Sequence, residues 1–154
     1  MRRNRARNRQ PTMANCKDEC ELLMSAVLPL AEQMLTEHRA LQPFGCTLSA
    51  ADQIAQVGGW KSEGVADTAS TIAEFEDAFR DGARRGELKA TALLHLVSEP
   101  APGSSSPQQA VAVHLDHRDD YSIVVTFPYH FAEGGELVIE EPYAAEGAHK
   151  IFEG

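Results

Sequence analysis

The stretch VAVHLDHRDDYSIVVTFPYH, residues 111–130, alternates between apolar and polar residues on both sides of a charged centre. Alternation with a period of two is typical of β-strands that bury one face. Two such runs around a short charged turn predict an antiparallel hairpin, with strands near 109–117 and 121–128. Residues 114–130 also contain three of the chain's six histidines and three aspartates, so the stretch raises the question of a metal or acid–base site.

The length of the hairpin loop decides which residues share a face. A two-residue loop would put the apolar residues of the two strands on different faces. A three-residue loop, 118–120, places them together, and a buried face specifies the register strongly. The pairs in that register are His117 with Tyr121, Leu115 with Ile123, Val113 with Val125, and Val111 with Phe127. Asp120 then occupies the left-handed position that glycine usually fills, which aspartate tolerates better than most residues.

This register separates the histidines. His114 and Asp116 share the more polar face, whereas His117 lies on the opposite face. His130 lies at the far end of the second strand, some 20 Å from the turn at about 3.3 Å per residue. We therefore predict no metal site. His114 with Asp116 remains a candidate catalytic pair, because a carboxylate can orient an imidazole for general-base work. A solvated polar face is the favoured interpretation.

The rest of the chain adds two amphipathic helices and further strands. The first helix is predicted over 18–41, and the second begins near Thr71 and ends before Gly86. The other strands are predicted at 44–48, 53–57, 89–98 and 135–140, with a possible last short strand at 149–152. The order α-β-β-α-β-β-β-β predicts an α+β fold with two layers, an antiparallel β-sheet with two amphipathic helices that can cover one face.

Charge divides the chain into two parts. Residues 1–12 carry five arginines and no acid, whereas the other 142 residues carry 9 basic and 23 acidic side chains, a balance of -14. We expect a disordered Arg-rich leader at 1–15 and a single α+β domain at 16–154, with Met13 as an alternative start. An acidic body argues against a broad nucleic-acid surface, so only the Arg-rich tail is left as a candidate contact with nucleic acid.

Cysteine usage and hydropathy indicate a cytoplasmic protein. Three cysteines, at 16, 20 and 46, do not have the spacing of a zinc site and are expected to be reduced thiols. No apolar run approaches the roughly 20 residues of a membrane span, and the N-terminal segment does not complete a signal peptide. We find no phosphate-binding loop, nucleophile elbow or paired CxxC motif, and therefore predict no cofactor.

Several segments together resemble a family of small uncharacterised bacterial proteins. They are LPLAEQML (28–35), PFG (43–45), HLDHRDDYSIVVTFPY (114–129), a later glutamate-bearing strand and KIF (150–152). The similarity covers roughly 22–152. The resemblance implies the same domain boundary and supplies no catalytic residues, since the family brings no established activity. Asp120 departs from the glycine expected in the turn of such relatives.

Two classes of function stay open at this point. The favoured one is a small non-enzymatic interaction module that binds another protein or itself through an exposed sheet edge or a helix-free sheet face. An immunity- or chaperone-like protein that masks a basic partner is one version of it. The alternative is a hydrolase-like enzyme with His114 and Asp116 at its centre.

Overall fold

A computed structural model describes residues 13–58, 68–100 and 102–152 of the chain. The predicted basic leader therefore lies almost wholly outside the described residues, although a helix already begins at Met13. The helices are α1 (Met13–His38) and α2 (Thr68–Arg84). The strands are β1 (Phe44–Ser49), β2 (Ile54–Gly58), β3 (Leu88–Pro100), β4 (Pro107–His117), β5 (Tyr121–Phe131), β6 (Leu137–Ile139) and β7 (Tyr143–Glu146).

The strands form one antiparallel sheet in the order β2-β1-β3-β4-β5-β6, with β7 paired to β5. The α+β class, the two helices and the antiparallel sheet are confirmed. The three longest strands, β3, β4 and β5, are neighbours in the sheet, with 13, 11 and 11 residues. The last strand differs from the prediction: it spans Tyr143–Glu146, and 149–152 forms no strand.

The main core lies between α1 and one face of the sheet. Leu23, Val27 and Leu35 of α1 are fully buried there, at 0–1 % exposure, against apolar residues from the central strands. These strand residues are Phe44, Cys46, Leu48, Ala90, Ala92, Leu94, Val111, Val113, Leu115 and Phe127. Every one of them is consistent with the alternation read from the sequence, so this face is the one that the hairpin pattern predicts.

The second helix packs on the opposite face, so the expectation that both helices cover one face does not hold. Phe79 of α2 is buried against Leu93 and Ile151, whereas the neighbour Leu94 on β3 faces α1. The physical reason is that β3 is apolar on both faces and needs cover on both sides. Gly45 on β1 allows a close approach to β3, since a Cβ there would lie 2.2 Å from the carbonyl oxygen of Ala92.

The hairpin between β4 and β5 has the predicted register. His117 pairs with Tyr121, Leu115 with Ile123, Val113 with Val125, and Val111 with Phe127. The loop is therefore 118–120, and Asp120 has a φ of 64°, the left-handed conformation expected of it. The register places His114 and Asp116 on the α2 face and His117 on the α1 face.

Candidate functional site

On the α2 face of the sheet, the candidate pair His114 and Asp116 lies near a further histidine, His95, that the sequence pattern did not place there. His114 lies directly opposite Leu93 and beside His95, which is two residues further along β3. The Nε2 atoms of His95 and His114 are 2.9 Å apart, and the rings stack with their centroids 4.9 Å apart at an angle of 19°. The polar partner of the His114 ring is therefore His95, and no such contact joins it to Asp116.

Burial governs the protonation of both histidines. It lowers the pKa of His114 to about 4, and the neighbouring His95 adds to that effect. It lowers the pKa of His95 as well. Two neutral imidazoles can share one N–H···N hydrogen bond, with one ring as donor and the other as acceptor. The arrangement accounts for the Nε2 atoms of both rings without a ligand.

Asp116 is also buried, at 7 % exposure. Burial raises the pKa of its carboxyl, and a hydrogen bond with Ser122 opposes that shift. Among the described residues, its Oδ1 atom has no hydrogen-bond partner. A buried carboxylate with one unsatisfied oxygen is energetically costly, and it is the one feature of this face that favours a site over a structural pair.

The space around Asp116 is small because two elements cover it. Glu76 and Phe79 of α2 approach from one side, and the segment 147–151 crosses from the other. That segment is fixed by the backbone N–H of His149, which donates to the hydroxyl of Ser122 at 3.2 Å, and by an ion pair of Lys150 with Glu76 at 3.5 Å. The remaining cavity is about 20 Å³, which is room for roughly one water molecule.

The other two hairpin histidines lie apart from His114, as predicted: His117 on the opposite face and His130 at the far end of β5. His117 is 1 % exposed and its Nε2 atom lies 2.6 Å from Glu19 of α1. Its Nδ1 accepts the backbone N–H of Asp119 at 3.0 Å. The exposed His130 pairs with Glu140 at 2.7 Å, which lowers the pKa of that carboxyl. Among the described residues, no three side chains of His, Cys, Asp or Glu are grouped so that they could hold a metal ion.

A larger concave surface lies on the α1 face, at the end of the sheet where α1 stops. We call it the aromatic groove. It has a volume of about 540 Å³ and is lined by Arg39, Ala40, Leu96, Pro107, Gln108, Gln109, Tyr129, His130 and Phe131. By strand alternation, Tyr129 and Phe131 point toward the α1 side, whereas His130 points to the other face. Its volume lies within the range of roughly 300–1,000 Å³ that is common for ligand sites.

Arg39 is the charged group of the aromatic groove. Its guanidinium lies over the ring of Phe131, with Cζ 4.2 Å from the ring centroid, and Nη2 donates to the carbonyl of Gly135 at 3.4 Å. Arg39 directly follows α1 with a φ of 57°, and its N–H donates to Leu35 at 2.9 Å. Glycine is the usual residue at such a helix end, so an arginine there carries a conformational cost.

The sequence indicated neither His95 as the partner of His114 nor the aromatic groove. The pattern of the strand predicts His95 as a half-buried strand residue, and the structure places it so in β3. Pairing β3 with β4 across the loop after Pro100 could have placed it beside His114. The groove has no local signal, because its lining residues come from the end of α1 and from three different strands.

Comparison with known proteins gives no further information on this site. No family model, curated protein or solved structure matches the chain. Within the described part of the chain, no helix is long and apolar enough to cross a membrane. Cys16, Cys20 and Cys46 are buried, and burial raises the pKa of Cys20 and of Cys46 to about 12.

Proposed function

We propose that the chain is a small non-enzymatic binding module that recognises another protein through the aromatic groove. The observation that carries the proposal is the contrast between the two concave surfaces. The cavity beside His114 and Asp116 has about 20 Å³, whereas the groove beside Arg39 has about 540 Å³ and is open to solvent. Recognition sites combine apolar surface with a few convergent polar groups, and the lining of the groove contains both kinds of residue.

The enzyme alternative has weaker support. A general base must come within hydrogen-bond reach of its substrate, and the Nε2 atom of His114 is engaged with His95. The carboxyl of Asp116 lies behind α2 and the segment 147–151. A substrate would have to displace both elements before it reached the carboxyl of Asp116.

The cellular setting is part of the same proposal. A cytoplasmic location is supported by three free cysteines, since thiols persist in reducing compartments. Membership in the family of small bacterial proteins, noted from five sequence segments, is likewise proposed. The acidic body supports a protein partner over nucleic acid.

A displayed library of random peptides tests the proposal. The wild type is expected to enrich a set of related sequences, which Phe131→Leu loses and His114→Ala retains. Phe131→Leu keeps an apolar side chain but removes the ring under Arg39, and His114→Ala is the matched change at the other surface. A screen for hydrolase activity and bound metal runs in parallel. Turnover that disappears in His114→Ala would support the enzyme and refute the module.

A further inference from the structure

We infer that the aromatic groove binds an extended peptide segment in which an Asp or Glu side chain stands next to a bulky apolar side chain. The carboxylate would pair with the guanidinium of Arg39, and the apolar side chain would lie against Leu96 and Tyr129. This inference rests on the proposed function and adds the chemistry of the partner.

The first argument is that Arg39 keeps donors available. Its Cζ lies 4.2 Å from the centroid of the Phe131 ring, and the contact with Gly135 uses only one of its five N–H donors. The donors that remain can match a carboxylate bidentately. Gly135 leaves the necessary room, since a Cβ there would lie 3.0 Å from Nη2 of Arg39.

The second argument is the charge of the lining. The chain has nine more acidic than basic side chains, yet no residue lining the aromatic groove carries a carboxylate. Among the described residues, no carboxylate oxygen lies within 4.0 Å of the Arg39 guanidinium. The nearby Glu140 pairs with His130, which projects on the other face of the sheet. A guanidinium that has no carboxylate partner among the described residues, in a lining without carboxylates, fits an anionic group of a ligand.

The third argument concerns the size and polarity of the rest of the groove. Leu96 and Pro107 line the groove with partly or fully exposed apolar side chains, and Tyr129, at 7 % exposure, adds a small part of its ring. The groove, at about 540 Å³, has room for more than an inorganic anion. A ligand that carries apolar bulk beside its charge fits this lining, and an acidic residue next to an aromatic or branched residue provides both.

The donors also decide where the carboxylate comes from. Free C-terminal carboxylates are commonly captured by nests of backbone N–H groups. The side chains that line the aromatic groove and can donate include the guanidinium of Arg39 and the amides of Gln108 and Gln109. An open groove of this kind suits a chain that passes through it, so the carboxylate belongs to an internal Asp or Glu. Repulsion from the acidic body is largely screened beyond about 8 Å at physiological salt.

The test is a titration with four hexapeptides at physiological ionic strength, the first three of them blocked at both ends. The first contains adjacent glutamate and phenylalanine; the second has glutamine for the glutamate; the third has serine for the phenylalanine; the fourth repeats the second with a free C-terminal carboxylate. We expect the first to bind about tenfold more tightly than the second, as for the loss of one charge-assisted bidentate pair. The third should be weakened by a similar factor.

Three protein variants make the result specific. Arg39→Gly suits the left-handed backbone, so it removes the guanidinium without threatening the helix end. Arg39→Lys keeps the charge and loses the planar fork. Arg84→Gln removes one positive charge from an exposed position on α2 and is the matched control. We expect Arg39→Gly to abolish the difference between the first two peptides, Arg39→Lys to reduce it, and Arg84→Gln to leave it unchanged.

Each contrary outcome overturns a defined claim. Equal binding of the glutamate and glutamine peptides, with Phe131→Leu weakening both, would refute the carboxylate and leave the binding module intact. Tighter binding of the free C-terminal peptide than of the glutamate peptide would refute the internal acidic residue. If none of the four binds and the library selection also enriches nothing, both the inference and the proposed function fail.

Discussion

His95 and His114 stack across neighbouring strands with their Nε2 atoms 2.9 Å apart. Because the two rings share one hydrogen bond, protonating both of them would force two donors against each other. Burial already lowers the pKa of each ring, that of His114 to about 4. The pair is therefore stable when both rings are neutral, and we expect acidification to destabilise it.

We expect stability to fall between pH 6.5 and pH 4. His114 has a folded pKa below its ordinary value of 6.5, so the unfolded chain takes up the proton first. The contribution of neutral His114 to the free energy of unfolding is complete above pH 6.5. It is lost as the pH drops toward 4, by roughly 2–3 kcal/mol. Urea unfolding at several pH values measures it. His114→Gln should flatten the slope in this window, and an unchanged slope would contradict the assignment.

Asp116→Asn should stabilise the protein at neutral pH. Burial raises the pKa of the Asp116 carboxyl above its ordinary value of 3.8. The contribution of the protonated carboxyl to the free energy of unfolding is therefore full below pH 3.8, and it is lost as the pH rises through the pKa of the folded protein. A neutral amide removes the cost of the buried charge, and we expect a gain on the order of 1 kcal/mol at pH 7 that shrinks toward pH 4. Thermal and urea unfolding give the comparison. A loss of stability at pH 7 would show that the carboxylate is itself required.

Asp120→Gly should stabilise the hairpin. The φ of 64° costs a non-glycine residue conformational energy, and Asp120 is almost fully exposed, with a 3.6 Å ion pair to His149 as its one close charged contact among the described residues. We expect a gain of about 0.5–1 kcal/mol in unfolding free energy. The neighbouring Asp119→Gly is the control and should destabilise, since Asp119 has no positive φ to relieve. A reversed order of the two variants would contradict the turn geometry.

Glu19 should be important for fixing α1 on the sheet. It accepts a hydrogen bond from the buried His117 at 2.6 Å and pairs with Lys89 at 3.2 Å. Glu19→Ala leaves the His117 ring donor unsatisfied, which we expect to cost about 1–3 kcal/mol. Glu21→Ala, an exposed position on the same helix, should stay within about 0.5 kcal/mol of wild type. If the two substitutions lowered the free energy of unfolding equally, Glu19 would not be important for fixing α1 on the sheet.

The hairpin could be predicted from the sequence because its information is local. Alternation over 111–127 allows only one register with a continuous apolar face, and the loop of three residues follows from it. The same argument separated His114 from His117 correctly. It also identified the left-handed Asp120, because the loop length requires such a residue.

The rest depends on contacts between distant segments. The partnership of His95 with His114 requires the register between β3 and β4, whose connecting loop is too long to fix it by turn geometry. The face chosen by α2 depends on β3 being apolar on both sides. Arg39 lay inside the helix predicted over 18–41, whereas α1 ends at His38. Nothing local indicated that Phe131 would lie beneath its guanidinium.

The most direct test of recognition at the aromatic groove is amide-resolved NMR of the labelled protein during titration with the glutamate–phenylalanine peptide. We predict that the shifted signals cluster at Arg39, Ala40, Leu96 and residues 108–109 and 129–131, while those of His95, His114 and Asp116 stay in place. Shifts that cluster at the latter three residues, with the groove signals unmoved, would contradict the account.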